Sequence, residues 1–303
     1  MLESKLIIKP NKDIWWISMS VGPCFVRQVN KYIIEVFLTG RDKYGISRIG
    51  KSFLEIREDN TLRIIEIEEK PILDIGPPGC FDENGVSYPW IVKNNNIEYL
   101  YYVGWVNGGL NRFQNFLGLA TKSSEDKFFQ RKFNVPILER SEQEPYGTGS
   151  CCVIKNNKKW LMLYTSFLPW QGIIKASNIH PHSQPSYNIK IARSDNLINW
   201  ERNYQNILEF KSGEFIQGKP VLFKDNDKNH ELYFSVRGEA YRIGIAKGSN
   251  INQLERGENL VFKKQEWISQ TQEYAFPIKL NNKKYLFFNG NGYGKTGLGY
   301  TIL

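Results

Sequence analysis

Histidine is almost absent from this chain, with three residues in 303: His180, His182 and His230. Two of them stand in His180-Pro181-His182, and no third ligand follows at a suitable spacing, so the sequence predicts neither a metal centre nor a cofactor. Cysteine is scarce too, four in all, and the adjacent pair Cys151-Cys152 falls inside a predicted strand. That pattern makes no disulfide framework and no zinc site, and points to a cytoplasmic location. No apolar run approaches membrane-spanning length, and the stretch Met1 to Pro10 interrupts its apolar residues with charge, which argues against a signal-peptide core. Nor does any Pro/Gly/Ser linker or low-complexity tract divide the chain, so residues 1–303 read as a single domain. The net charge is +9, yet there is no basic helix, zinc pattern or aromatic-basic signature of a nucleic-acid binder. Lysines fall mainly in predicted turns; a basic surface of this kind attracts an anionic ligand such as a sugar phosphate or a nucleotide sugar.

What the chain does have is a repeated hairpin. In Gly79 to Trp105 a turn bearing Asp82 and Glu83 leads into a β-prone run, Val86 to Val92, then a Lys93-Asn94-Asn95-Asn96 reversal and a second strand from Tyr99. The same cadence appears around Pro23, Cys151, Pro220 and Pro277, giving five units. A third strand follows each hairpin, as in Phe116 to Ala120 and Ile189 to Ser194, and segments such as Asn199-Trp200-Glu201-Arg202 supply a fourth. Four-stranded antiparallel units repeated about an axis predict an all-β, five-bladed β-propeller.

In such a blade, residues just before the first strand and just after the second converge on one mouth. Asp82, Glu144, Glu214 and Glu273 stand before first strands; Arg41, Asp42, Trp105, Trp170, Arg237 and Asn291 stand after second strands. A ring of carboxylates there would force pKa values apart, leaving one group as acid beside another as base, which suits work on a glycosidic bond. Asp82, Glu144, Glu214 and Asp42 are therefore the catalytic candidates. Arg41 and Arg237, in matching surroundings, are candidates for holding a carboxylate or phosphate, and Trp105 and Trp170 for stacking on a sugar face. Glu273 and Asn291 complete the binding set.

The segments Phe81-Asp82-Glu83-Asn84-Gly85-Val86-Ser87-Tyr88-Pro89, Ile191 to Trp200, and Phe276-Pro277-Ile278 with Tyr285 to Gly294 resemble the five-bladed propellers of the glycoside hydrolase superfamily. That group includes arabinanases and xylosidases of family 43, invertases and levansucrases of families 32 and 68, and mannoside phosphorylases of family 130. The resemblance implies three carboxylates from the first three blades, with Asp82 in the second-blade position and Glu144 as the third-blade general acid. At the first-blade position the pattern fails, because Gly22 stands where an Asp is usual; Asp42 or Asp13 would have to replace it. The axial metal that some family 43 members hold through a histidine lacks an obvious ligand here.

Three readings follow. One is an intracellular enzyme that cleaves or transfers a glycosyl group by carboxylate chemistry. Another is a biosynthetic enzyme on a nucleotide-linked or otherwise anionic sugar, and a third is a noncatalytic carbohydrate-binding propeller. All three expect a sugar-containing partner, and none expects a nucleic acid or a membrane.

Overall fold

A computed structural model describes residues 1–109, 111–171, 184–226 and 229–303. The described chain is built from strands. After β1 (Lys5–Ile8) come β2 (Ser20–Gln28), β3 (Ile33–Arg41), β4 (Ser47–Ile56) and β5 (Leu62–Ile67), paired in that order as one antiparallel sheet. The next sheet holds β6 (Val86–Asn94), β7 (Ile97–Asn107), β8 (Phe113–Ser123) and β9 (Gln130–Arg131). An eight-stranded sheet follows. Its first half is β10 (Thr148–Asn156), β11 (Lys159–Gln171), β12 (Gln184–Ser194) and β13 (Glu201–Asn206), and its second is β14 (Ile216–Asn226), β15 (Asn229–Arg237), β16 (Tyr241–Gly248) and β17 (Glu255–Arg256). A single parallel pair, Tyr187 with Ile216, joins the halves, so each is in effect a four-stranded unit. The last sheet takes β18 (Gln272–Leu280), β19 (Lys283–Gly290) and β20 (Leu298–Ile302), and β1 returns to pair antiparallel with β20 at its edge.

Local sequence explains the hairpins. The Lys/Asn-rich reversals are two-residue loops: Asn95-Asn96 between paired Asn94 and Ile97, Asn157-Lys158 between Asn156 and Lys159, and Asn281-Asn282 between Leu280 and Lys283. Asn95, Asn157, Asn281 and Asn282 all have positive φ, the conformation that hairpin turns matching strand twist require and that asparagine tolerates. The reversals thus need asparagine for its backbone, whatever the lysines beside it do.

The first strands of the units, β2, β6, β10, β14 and β18, touch in succession, and β18 also touches β2. Between the sheets lies an apolar core of aromatics and β-branched residues, with Tyr101, Tyr164, Phe234, Phe287 and Trp16 fully buried. Each first strand carries a bulge at the same place. Gly22-Pro23, Tyr88-Pro89, Gly149-Ser150, Lys219-Pro220 and Tyr274-Ala275 are the pairs of residues skipped where the register with the second strand shifts. A bulge of this type bends the strand and re-aims one side chain. Tyr88, Lys219 and Tyr274 hold φ of 54°, 49° and 60°, left-handed backbone that a non-glycine residue adopts at a cost. The structural repeat is therefore centred on the bulge, one residue before Cys151 in the third unit and two before Pro277 in the fifth.

Candidate functional site

The bulges set the floor of a cavity of about 250 Å³ where the first strands meet. Tyr88, Gly149-Ser150, Gly218-Lys219 and Tyr274 come from them, and Tyr293 enters from the loop after β19. The walls are Arg41 at the end of β3, Trp105 late in β7, Arg112, Phe113 and Asn115 at the start of β8, Phe167 on β11, Tyr187 on β12, and Arg237 with Tyr241 between β15 and β16. Aromatic faces interlock: Tyr274 meets Tyr88 and Tyr293 edge-on with centroids 5.3 and 5.5 Å apart, and Trp105 packs on Phe113 at 4.9 Å.

Polar atoms stud this apolar shell. The hydroxyls of Tyr187 and Tyr241 lie 2.7 Å apart. Burial pushes the hydroxyls of Tyr88, Tyr187 and Tyr274 well above the ordinary phenol range, so they stay protonated at neutral pH and can donate. Asn115, only 6% exposed, has a side-chain oxygen without a hydrogen-bond partner, and so does the buried Nε of Arg41. Both atoms belong to residues that line the cavity but are themselves shielded inside its wall. Lys219 lines the cavity with its stem, while its Nζ points below the floor to the carbonyls of Ala275 (3.2 Å) and Cys24 (3.4 Å). Burial lowers this ammonium to a pKa of about 8.

Arg41, Trp105 and Arg237 line this cavity as the sequence suggests. Trp170 stands behind the wall, stacked on Phe167 at 6.3 Å and against Phe113 at 5.0 Å. None of the predicted carboxylates is among the lining residues, and each has partners elsewhere. Asp82, fully buried, accepts from Tyr102 Oη at 2.9 Å and Arg131 Nε at 2.8 Å. Glu144, 1% exposed, accepts from Tyr164 Oη at 2.9 Å, Ser166 Oγ at 2.6 Å and Arg202 Nη1 at 2.9 Å, with Lys190 Nζ at 3.4 Å. Glu214 takes a two-pronged contact from Arg256, both arms at 3.0 Å. Although burial opposes it, that contact and the Lys211 N–H carry the Glu214 pKa below the usual range.

The recurrence of these acids is real, but it has a structural cause. In three successive units an arginine on the outermost strand, Arg131, Arg202 or Arg256, reaches back to clasp the carboxylate before the first strand. Asp42 closes its own turn, accepting from Tyr44 N and Ile46 N, and pairs with Arg48 at 2.6 Å. Glu273 accepts from Thr271 Oγ1 and from Tyr293 N, and its burial raises its pKa. Asn291 ties a loop through Gln270 N, Thr271 N and Glu266 O. The structure therefore does not gather Asp42, Asp82, Glu144 and Glu214 on one mouth. His180 and His182 lie outside the described residues, and no cluster of metal-ligating side chains occurs among those described.

The residues missed by sequence reasoning, Arg112, Phe113, Asn115, Tyr187 and Tyr241, share one signal. The third strand of a unit starts at the mouth where the second ends, so its first residues belong there too. Tyr88, Lys219 and Tyr274 carry another signal: they stand at the bulge, and two of them directly precede a proline.

No family model matches the chain. It is similar to two uncharacterized proteins of Mycobacterium tuberculosis, from strains CDC 1551 / Oshkosh and H37Rv. Each is 26% identical over 301 residues, spanning 98% of this chain and 97% of the relative. Among solved structures it is similar to a glycoside hydrolase with a TM-score of 0.71 at 14% identity, covering 99% of this chain and 90% of the other. A glycosyl hydrolase from Bacteroides ovatus superposes with a TM-score of 0.69 at 14% identity, with coverage of 100% and 93%. A structure from the family 130 group, described as mannoside phosphorylases that include hydrolases of β-1,2-mannosidic linkages in Candida mannan, gives 0.65 at 14%, also 100% and 93%. Structures of family 32 and family 43 type are similar as well. At such identities the likeness establishes the fold, that of the propeller-like glycoside hydrolases.

Proposed function

We propose that the chain forms one closed, five-bladed propeller domain and that its axial cavity is the sugar site of a carbohydrate-active protein. The observation that carries this reading is the wall chemistry. Aromatic faces at Trp105, Phe113 and Phe167 suit the C–H faces of a pyranose, and protonated tyrosine hydroxyls suit its hydroxyls. The protein resembles glycoside hydrolases in fold, which raises the prospect of glycosyl cleavage or transfer without certifying it.

The walls do not favour hydrolysis by a pair of acids. That chemistry needs two carboxyl groups flanking the bond, roughly 5 to 9.5 Å apart. Among the described residues no carboxylate lines the cavity. Binding of the sugar, with charge stabilisation of a transferred group, is the chemistry these residues can assist.

The test is a titration of the full chain with a panel of mono- and oligosaccharides, followed by tryptophan fluorescence and calorimetry. A saccharide that binds should lose about tenfold or more in affinity in Trp105→Ala, as removal of a stacking face costs about 1–3 kcal/mol. If no saccharide, charged or neutral, binds at millimolar concentration, the reading falls.

A further inference from the structure

Resting on that sugar reading, we infer that the cavity takes a sugar carrying an anionic group, a phosphate or a carboxylate, held by Arg41 and Arg237 with Arg112 at the rim. The three guanidinium groups come from three different units and open on one cavity. None has a carboxylate partner among the described residues. Elsewhere the fold supplies acids to its arginines freely: Arg48 pairs with Asp42 and Asp74, Arg131 with Asp82, Arg202 with Glu144, and Arg256 with Glu214.

Aromatic rings, not acids, position the cavity arginines. Arg41 lies 3.9 Å over the Tyr293 ring and 5.8 Å from that of Trp105; Arg237 lies 5.3 Å over Tyr241 and 5.6 Å over Phe215. A ring face fixes the plane of a guanidinium and leaves its edge donors open, the arrangement that receives two oxygens of one anion.

Glu273, buried beside Tyr293, pairs with none of the three arginines: its oxygens accept from Thr271 Oγ1 and Tyr293 N. Like charges gathered in a partly desolvated space repel, and an entering anion relieves that repulsion as it binds. The tyrosine hydroxyls remain for the neutral part of the molecule, which separates this cavity from a site for a bare inorganic ion.

Matched ligands test the inference. Glucose, galactose and mannose, their glycosyl phosphates, their uronates, UDP-glucose and inorganic phosphate would be titrated calorimetrically into the full chain at low and physiological salt. At least one phosphorylated or carboxylated sugar is expected to bind tenfold or more tighter than its neutral parent, with affinity falling as salt rises. Whether phosphate or carboxylate wins identifies the anion. Arg237→Gln, and separately Arg112→Ala at the exposed rim, should cut that affinity tenfold or more while leaving a neutral sugar within threefold. Circular dichroism, with Arg63→Ala as a distant control, verifies folding. Neutral sugars binding as tightly as their anionic partners would overturn the inference and leave the sugar reading intact. Inorganic phosphate binding with no sugar bound would overturn both, since the anion site would then serve another class of ligand.

Discussion

Replacing Glu144 with Gln separates a structural carboxylate from a catalytic one. The side chain is fully buried and its oxygens accept from Tyr164, Ser166 and Arg202, with Lys190 close by. A carboxamide keeps the shape but removes the charge and can turn its NH₂ toward the Arg202 guanidinium, leaving two cations without their counter-ion. Breaking a buried pair in this way costs about 3–5 kcal/mol. With a urea m-value of about 3 kcal/mol/M, the unfolding midpoint of Glu144→Gln should fall by about 1–1.7 M. Arg202→Met at the same site should cost much the same, and the double variant less than the sum of the two. Equilibrium urea unfolding followed by tryptophan fluorescence measures all three. A midpoint for Glu144→Gln within 0.2 M (an instrumental tolerance of about half a kcal/mol) of the parent would refute the clasp and return Glu144 to the catalytic candidates.

Lys219 and the paired glutamates give two pH predictions, in both of which stability rises with pH, one in the alkaline and one in the acid range. Because burial lowers the Lys219 pKa to about 8, the unfolded chain binds more protons than the folded one between there and the ordinary lysine value, so stability rises with pH in that window. The gain from pH 8 to 9.5 should be about 1.6 kcal/mol, and Lys219→Met should abolish it; an equal gain in the variant would contradict the assignment. Glu98, Glu214 and Glu231 overcome burial through Arg27, Arg256 and Lys284 respectively, so their pKa values lie below the usual range. Their contribution is present above the ordinary carboxylate value of about 4.3 and disappears as pH falls through the lowered folded values. Urea midpoints measured downward from pH 6 should drop below that point, and Glu214→Gln should soften the drop.

Much of the fold was legible because hairpins advertise themselves. Alternation, asparagine-rich reversals and aromatic second strands locate β6–β7, β10–β11 and β18–β19 with no tertiary information. The return of β1 to pair with β20 was not legible, since a four-residue edge strand has no distinctive pattern of its own. For the site, end-of-strand logic found Arg41, Trp105 and Arg237. It also names Asp82, Glu144 and Glu214, which do not line the cavity and pair with arginines, because recurrence reports that a position does something in every unit without saying whether the task is chemical or structural. Their partners Arg131, Arg202 and Arg256 sit forty or more residues downstream on the outer strands, and no sequence spacing pairs them with the acids. Tyr88, Lys219 and Tyr274 escaped for a different reason: strand periodicity assigns them a face, and the bulge overrides it.

That repeated kink turns the axis into a short address, written with one letter per unit: Gly22, Tyr88, Gly149, Lys219 and Tyr274. Tyr88, Lys219 and Tyr274 each donate the kinked N–H to a hydroxyl of the preceding unit, Thr39 Oγ1, Thr165 Oγ1 and Ser235 Oγ, so the kink at these three letters is held independently of the side chain it carries, whereas a Cβ at Gly22 or Gly149 would press on Tyr293 or Thr165. Divergent relatives that keep the scaffold are then best compared letter by letter at these five places, where a change of cargo would be spelled out long before overall similarity reveals it.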